Sequence, residues 1–207
     1  MSCDNHTPCH DRGDDTRHTA NPARADGESG APLALAAVVY RAGDALENML
    51  AAVRDRLVTR PATRIAGLVP RNGPPHSNGR ASLWLDDVGR GDSIALSQDL
   101  GPGSTSCILS ADGLATARVR LAAAIATRPD LVLFGRFAKE ELAGRGIREE
   151  VGLAVADDIP ALVAVEQSML PGWIEFAGED WSELPFDLEA IVGWFDALTS
   201  KRRATSS

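Results

Sequence analysis

The chain has 207 residues, of which 44% are hydrophobic and 24% are charged, and its formal net charge is −8. This length and composition suit one globular domain with a sizeable core and tails, and the negative charge argues against binding to nucleic-acid phosphates or an anionic membrane. No apolar run approaches the roughly 20 residues that span a bilayer. The first residues lack the basic and apolar regions of a secretion signal, so we expect a cytoplasmic protein.

Residues 1–32 carry no hydrophobic periodicity and are rich in Asp, Asn, Thr, Gly and Pro. Such a segment cannot bury enough apolar surface to offset its ordering entropy, which predicts a disordered tail. The tail contains a group of potential metal ligands, Cys3, His6, Cys9 and His10. Thiol and imidazole groups suit Zn, Ni or Cu, but the spacing matches no standard zinc module. Adventitious metal binding and a metal-handling role are both compatible with these residues.

A single α/β domain is predicted from residue 33 to residue 200. Residues 33–40 are a continuous apolar run, typical of a strand buried on both faces. Asp44 is predicted to open a helix, with Glu47 three residues later completing a capping box, and the residues that follow repeat an apolar face at helical spacing. Residues 65–69 form the next predicted strand, which gives a βαβ unit.

The rest of the domain continues this alternation. Residues 70–80 are turn formers and predict a loop, and residues 83–85 and 93–96 predict a hairpin at a sheet edge. The later predicted elements are a helix capped by Ser110, a buried strand at 131–134, a mainly helical stretch at 138–157, a strand at 161–165 and a helix at 187–199. We therefore predict a three-layer α/β fold, with a mostly parallel sheet and helices on both faces. Residues 201–207 are predicted to be a basic flexible end.

Ligands of open parallel sheets bind beyond the carboxyl ends of the strands, which directs attention to the loops after Tyr40, Val69, Phe134 and Val165. The turn after Tyr40 has one glycine and no lysine, so it lacks the Walker sequence that cradles phosphates. Asp44, as an N-cap, is expected to satisfy the helix amides there itself.

The segment from Gly135 to Arg148 packs four cations and two carboxylates into one strand-to-helix connection. Arginine forks suit phosphates and oxyanions, and Glu141 is the candidate catalytic base, metal ligand or partner of a lysine. The predicted ligand-binding residues of this segment are Arg136, Lys139, Gly144, Arg145 and Gly146. Salt-bridged residues on an exposed helix explain the same composition.

A second candidate loop begins at Ser97 and Gln98 and continues through Gly101 to Cys107. Its glycines and hydroxyls are able to present several amide donors to an anion, whereas a surface turn and a small core cysteine explain the same residues. The one histidine of the predicted domain, His76, falls in a Pro/Gly loop. We therefore expect no Ser-His-Asp or Cys-His catalytic set.

Three sequence motifs of this chain resemble those of a known protein family. The first strand ends in Tyr40, an SQ-x-LG loop at 97–101 precedes Cys107, and residues 135–146 fit the form N-[KR]-F-G-K-x-E-x-x-G-x-G, with Gly135 for its Asn and Ala138 for its first Gly. In these motifs residues 33–194 resemble an uncharacterised bacterial family of unknown function, often encoded beside molybdate-transport and nitrogen-fixation genes. The resemblance implies a nucleoside-triphosphatase-like fold and a link to molybdenum or nitrogen metabolism. It implies no established activity.

Three functions remain open. The favoured one is an accessory protein that binds a small anion at the strand ends, either a nucleotide with Mg²⁺ or molybdate. The second is a phosphohydrolase in which Glu141 positions water, against which the missing Walker lysine counts. The third is a metal-delivery or protein-interaction module that uses the tail, Trp173 and Trp181 to meet a protein partner in metal or nitrogen metabolism.

Overall fold

The computed structural model describes residues 32–99, 101 and 108–205. Strands and helices alternate along these ranges. The strands are β1 (Leu35–Tyr40), β2 (Ile65–Pro75), β3 (Ala81–Asp87), β4 (Ser93–Ala95), β5 (Ser97–Gln98), β6 (Ile108–Leu109), β7 (Leu131–Phe137), β8 (Ala161–Glu166) and β9 (Ser182–Leu184). The helices are α1 (Leu46–Val58), α2 (Ala111–Ala126), α3 (Lys139–Leu142), α4 (Arg148–Ala156), α5 (Leu170–Ala177) and α6 (Leu188–Thr205).

The main sheet has the strand order β4-β3-β2-β7-β8-β1-β9. The five strands from β2 to β9 in this order are parallel, whereas β3 and β4 are antiparallel and form a hairpin at one edge. A separate antiparallel pair joins β5 to β6. The predicted sheet, mostly parallel with an edge hairpin, is confirmed.

Helices cover both faces of the sheet and enclose two cores. On one face the side chains of α1 and α6 pack against alternate residues of the central strands, such as Val38. On the other face α2, α4 and α5 pack against the intervening residues of the same strands, such as Ala37. The continuous apolar run of β1 is needed because its side chains alternate between these two cores. The predicted three-layer α/β fold is therefore confirmed.

The loop predicted at residues 70–80 is wrong over its first half, because β2 continues to Pro75. The last pair of β2 with β7 is Gly67 with Leu133, and beyond it β2 pairs with β3 alone. A strand with one free edge tolerates prolines, since a missing N–H there costs no ladder hydrogen bond. The turn of the β2–β3 hairpin occupies residues 76–80.

The start of α1 also differs from the prediction. The helix begins at Leu46, Ala45 occupies the N-cap position, and no side chain caps the helix. Asp44 instead accepts a hydrogen bond from the backbone N–H of Arg41 at 2.7 Å, so the predicted capping box is wrong. The cap predicted at Ser110 is confirmed, because its hydroxyl accepts from the N–H of Gly113 at 3.0 Å.

The C-terminal part contains elements that the sequence pattern did not predict. Helix α5 and strand β9 lie between β8 and α6, and α6 continues to Thr205, so the basic run at 201–203 is helical. Within the ranges described, no helix combines the length and apolar character needed to cross a membrane.

Candidate functional site

The strand order creates a crevice at the carboxyl edge of the parallel strands. Strand β1 lies between β8 and β9. The chain leaves β1 for α1 on one face of the sheet, and it leaves β8 for α5 on the other face. Such a reversal separates neighbouring connections at the strand ends, and ligands of open α/β sheets bind in the crevice that results.

An open cavity of about 430 Å³ occupies this crevice. Its charged lining groups are Arg41 and Asp44 in the β1–α1 turn and Glu183 in β9, and Gln167 contributes from the end of β8. The Arg41 side chain is exposed and forms no ion pair with any residue that the structure describes. Among the described residues that line the cavity, Arg41 is therefore a cation that forms no ion pair, and the carboxylates of Asp44 and Glu183 line the same cavity.

The turn from β1 to α1 is closed by its own hydrogen bonds. Besides the bond from Arg41 to the Asp44 carboxylate, the N–H of Asp44 donates to the carbonyl of Arg41 at 3.0 Å, and Gly43 takes a φ of +96°. Among the residues that the structure describes, no side chain caps the start of α1, although the N–H of Leu46 donates to the carbonyl of Asp44 at 2.9 Å. The N–H groups of the first turn carry the positive end of the helix dipole.

A group of four residues, which we call the strand-end cluster, adjoins this turn: Tyr40, Glu47, Arg136 and Glu166. Arg136 at the end of β7 forms an ion pair with Glu47 in the first turn of α1. Burial raises the pKa of Tyr40; the positive charge of Arg136 opposes this rise, and the negative charges of Glu166 and Glu47 add to it. The ends of β1, β7 and β8, together with the first turn of α1, therefore bring two carboxylates and a guanidinium close to one buried phenol.

A bulge in β7 directs Arg136 toward α1. The pairing of β7 with β8 passes from Leu133 opposite Leu162 to Arg136 opposite Ala164, which leaves one extra residue in β7. This extra residue reverses the alternation of the strand. As a result Phe134 and Phe137 are buried in the same core, and Arg136 reaches the helix on the opposite face.

The other predicted cations of the segment 135–148 do not gather around one point. Arg145 pairs with Glu140, with its Nε 2.8 Å from the carboxylate, at an exposed position. Arg148 lies over the ring of Phe176, with its guanidinium carbon 4.6 Å from the ring centroid. Lys139 is exposed and makes no ion pair within the described ranges. The ligand-binding role of these residues stays a prediction.

Glu141 closes the loop between α3 and α4. Its buried carboxylate accepts from the backbone N–H of Ala138 at 2.9 Å and from that of Ile147 at 3.1 Å. Burial raises the pKa of Glu141, and the two hydrogen bonds oppose this rise. Both oxygens are thus occupied by backbone amides, which is the arrangement of a loop clamp. A catalytic role for Glu141 stays a prediction.

Two predicted glycines serve the same loop. Gly144 and Gly146 have φ values of +74° and +65°, a region that L side chains rarely adopt. A Cβ atom on Gly146 would lie 2.0 Å from an oxygen of Glu141. Glycine at position 146 therefore makes room for the carboxylate that holds the loop closed.

The second predicted loop packs against the β2–β3 hairpin. Gln98 donates to the hydroxyl of Ser110 at 3.4 Å, and the N–H of Gly101 donates to Asp99 at 3.0 Å. The Ser97 hydroxyl lies 2.9 Å from Nε2 of His76 in the hairpin turn. These residues contact the hairpin and the start of α2, and none of them lines the cavity at the strand ends.

A Ser-His-Asp juxtaposition was missed by the sequence reasoning. Nε2 of His76 faces Ser97, and Nδ1 lies 3.9 Å from a carboxylate oxygen of Asp99. The expectation that the domain contains no Ser-His-Asp set is therefore wrong, because the structure brings these three side chains together. The available signal is the alternation that places residues 97 and 99 on the same side of an extended segment. The turn-forming residues at 70–80 predict a loop, and this prediction does not reveal the hairpin that brings His76 to residues 97 and 99.

The predicted metal ligands Cys3, His6, Cys9 and His10 lie outside the described residues, as does Cys107. Among the residues that are described, no group of three or more His, Cys, Asp or Glu side chains is arranged to hold a metal ion.

Comparison with known proteins identifies a relative and a family. The chain is 37% identical over 172 residues to the molybdenum import ATP-binding protein ModC 2 of Bradyrhizobium diazoefficiens; the match covers 83% of this chain and 19% of the relative. The chain thus spans about a fifth of the length of that relative. No solved structure matches the chain. A family model described as a protein of unknown function (DUF2478) matches residues 35–194, from β1 into α6. The chain belongs to this DUF2478 family.

Proposed function

We propose that the protein binds a nucleotide together with Mg²⁺ in the cavity at the ends of β1, β8 and β9, as a cytoplasmic accessory protein of molybdenum import. The observation that carries this proposal is the cavity itself, which lies at the reversal of strand order beside the uncapped start of α1. The exposed guanidinium of Arg41 is the cation available to a phosphate group there.

The size and charge of the cavity favour a nucleotide over a free oxyanion. A volume of about 430 Å³ falls in the range of sites that hold drug-sized ligands, and a tetrahedral oxyanion would fill little of it. Asp44 and Glu183 would repel a bare anion. Mg²⁺ is commonly held by one or two carboxylates together with substrate phosphates, so the same two carboxylates suit a nucleotide that arrives with its metal.

The similarity to the molybdenum import ATP-binding protein supports the physiological part of the proposal. Only 19% of that relative is matched, and its name describes the whole chain. We therefore take from it the process, molybdenum import, and a protein partner, the ATP-binding component of that import. Molybdate is the second ligand to test, because the same process supplies it.

The proposal is tested by isothermal titration calorimetry with MgATP, MgGTP, molybdate and phosphate as separate titrants. We expect saturable binding of a magnesium nucleotide, and Arg41→Ala should weaken it about tenfold or more, since a charge-assisted hydrogen bond contributes roughly 1.5–3 kcal/mol. Arg80→Ala is the matched control, because Arg80 is an exposed arginine in the β2–β3 turn, away from the cavity.

The results separate the alternatives. If molybdate binds and no nucleotide does, the proposed ligand is wrong and the cavity remains the proposed binding site. Equal weakening by Arg41→Ala and Arg80→Ala would move the site away from the β1–α1 turn. Absence of binding by all four titrants, in a sample whose unfolding is cooperative, would refute the proposal. Phosphate release measured in the nucleotide samples tests the phosphohydrolase alternative at the same time.

A further inference from the structure

We infer that Ser97 is an activated nucleophile, with His76 as its general base and Asp99 as the carboxylate that stabilises the charged base, and that its substrates are small activated esters. This inference does not depend on the proposed nucleotide site, because none of the three residues lines the cavity at the strand ends.

Ser97 contacts the imidazole of His76, and the carboxylate on the other side of that ring determines the direction of the contact. The backbone N–H of Leu83 donates to the Ser97 hydroxyl oxygen at 2.8 Å, and the same oxygen lies 2.9 Å from Nε2 of His76. A hydroxyl has one proton and two acceptor lone pairs, so the bond from Leu83 leaves both directions open for the contact with Nε2. The Asp99 carboxylate oxygen lies 3.9 Å from Nδ1, and its negative charge favours the neutral tautomer whose proton is on Nδ1, which leaves Nε2 to accept the Ser97 proton. This is the tautomer that a serine base requires.

Asp99 is held in place as a permanent negative charge. Its carboxylate accepts from the hydroxyl of Ser77 at 2.6 Å, from the N–H of Ser77 at 2.8 Å and from the N–H of Gly101 at 3.0 Å. Hydrogen bonds from the Ser77 hydroxyl, the Ser77 backbone and the Gly101 backbone lower the pKa of Asp99 to about 2. The group is therefore ionised throughout the neutral range, and its position is fixed from two sides.

The distance from Asp99 to His76 gives Asp99 an electrostatic role. The 3.9 Å between the carboxylate oxygen and Nδ1 is about 1 Å longer than a hydrogen bond. When Ser97 gives its proton to Nε2, the ring becomes an imidazolium and the attraction to Asp99 increases. An interaction that strengthens as charge develops accelerates the step in which the charge forms.

The site is accessible from the surface. The His76 side chain is 12% exposed and that of Asp99 is 41% exposed, and Ser97 is half-buried. A small acyl donor reaches such a hydroxyl more readily than a large one does, which is why we assign small activated esters as the substrate class.

The proposed reaction has two steps. In the first, the Ser97 oxygen forms a bond to the acyl carbon, Nε2 of His76 takes the hydroxyl proton, the bond from that carbon to the leaving oxygen breaks, and the leaving group departs with the proton from His76. In the second, water attacks the acyl-serine, His76 takes a proton from the water and returns it to the Ser97 oxygen, and a free acid is released. No oxidant or further reactant is needed.

The test is covalent labelling of the full chain with a fluorophosphonate, which transfers its phosphonyl group to an activated serine and loses fluoride. We expect one adduct by intact mass, located on Ser97 by peptide mapping, and none on Ser93, a matched serine that hydrogen-bonds to a carboxylate, Asp86, at 2.7 Å. Because a general base contributes about 100-fold or more, His76→Gln should slow labelling of Ser97 by about that factor. Asp99→Asn should slow it less.

Circular dichroism and thermal unfolding establish that each variant is folded. Two results would overturn the inference: no adduct on Ser97 under conditions that label a known serine hydrolase, or an adduct that forms at an unchanged rate in folded His76→Gln. Hydrolysis of p-nitrophenyl acetate gives a second readout. Turnover that is lost in Ser97→Ala and retained in Ser93→Ala supports the inference, and equal turnover in both contradicts it.

Discussion

The ion pair between Arg136 and Glu47 predicts a substitution that should strengthen ligand binding. Glu47 lies in the first turn of α1, directly after the turn that lines the cavity, and it holds the guanidinium of Arg136. Neither residue lines the cavity, but a nucleotide whose phosphates extend from the cavity to the end of β7 would compete with Glu47 for that guanidinium. Glu47→Gln removes the competing charge and keeps the shape of the side chain, so we expect a magnesium nucleotide to bind more tightly than in the wild type.

The magnitude follows from the exposure of the pair. The Arg136 side chain is 43% exposed and that of Glu47 is 18% exposed, so solvent screens the interaction and limits it to about 0.5–1 kcal/mol. Removing this competing interaction should therefore lower the dissociation constant of the magnesium nucleotide about two- to fivefold. Arg136→Gln should have the opposite effect, because the ligand then loses a charge-assisted contact that contributes roughly 1.5–3 kcal/mol.

Calorimetry with MgATP at low and moderate salt measures both changes. Glu140→Gln is the control, since Glu140 also pairs with an arginine, Arg145, but at an exposed position outside the cavity lining. Unchanged or weaker binding by Glu47→Gln, alongside normal binding by the wild type, would refute the competition argument. A wild type that binds no nucleotide would refute the proposed function itself, so the two failures are distinguishable.

Three further predictions concern stability and are checked by urea unfolding. Gly146→Ala should cost about 1–3 kcal/mol, because it strains a positive φ and drives a Cβ against Glu141, whereas Gly152→Ala in α4 meets nothing within 4 Å and should stabilise by about 0.5–1 kcal/mol. Glu141→Ala should cost about 1–3 kcal/mol by leaving two backbone N–H groups unpaired. Burial raises the pKa of Glu141 in the folded state. The stability that this carboxyl contributes is therefore greatest below its ordinary pKa, and it is lost as the pH rises through the pKa of the folded state. The difference in unfolding free energy between wild type and Glu141→Ala should shrink with rising pH. Ser110→Ala should cost about 1 kcal/mol through loss of the α2 cap.

The fold was predictable where burial requires a recognisable pattern of apolar residues within a single strand or helix. The apolar runs of β1 and β8 and the helical spacing in α1 and α2 follow directly from the sequence. The extension of β2 was not predictable in this way, because the prolines at its end are turn formers locally. What makes them part of a strand is pairing with β3, in which Pro75 lies opposite Ala81 and Asn72 lies opposite Leu83, and local turn propensity does not reveal this pairing.

The sequence directs the search to the carboxyl edge of the strands, but it does not predict the residues that line the cavity there. Arg136 does lie at the carboxyl edge, as the strand-then-cation pattern indicates. Its orientation toward α1 depends on a one-residue bulge in β7, and a charge pattern does not reveal a bulge. The contact of His76 with Ser97 likewise depends on the register of the β2–β3 hairpin, across 21 residues of sequence.

In the segment from Phe137 to Gly146, core packing and loop closure explain several residue types, but they do not explain Lys139. Phe137 fills the core, Glu141 clamps the loop, and Gly144 and Gly146 supply its positive φ values. Lys139, the first residue of α3, is exposed and forms no ion pair within the described ranges, so packing does not explain a lysine there. If the strand ends bind an anion, Lys139→Ala should weaken MgATP binding in calorimetry about twofold to tenfold, as expected for an exposed cation near a phosphate. Arg145→Ala, in which the lost arginine was already paired, should leave the affinity unchanged. Equal affinities for the two variants would indicate that Lys139 belongs to the solvated surface and that the cavity beside Arg41 acts without it.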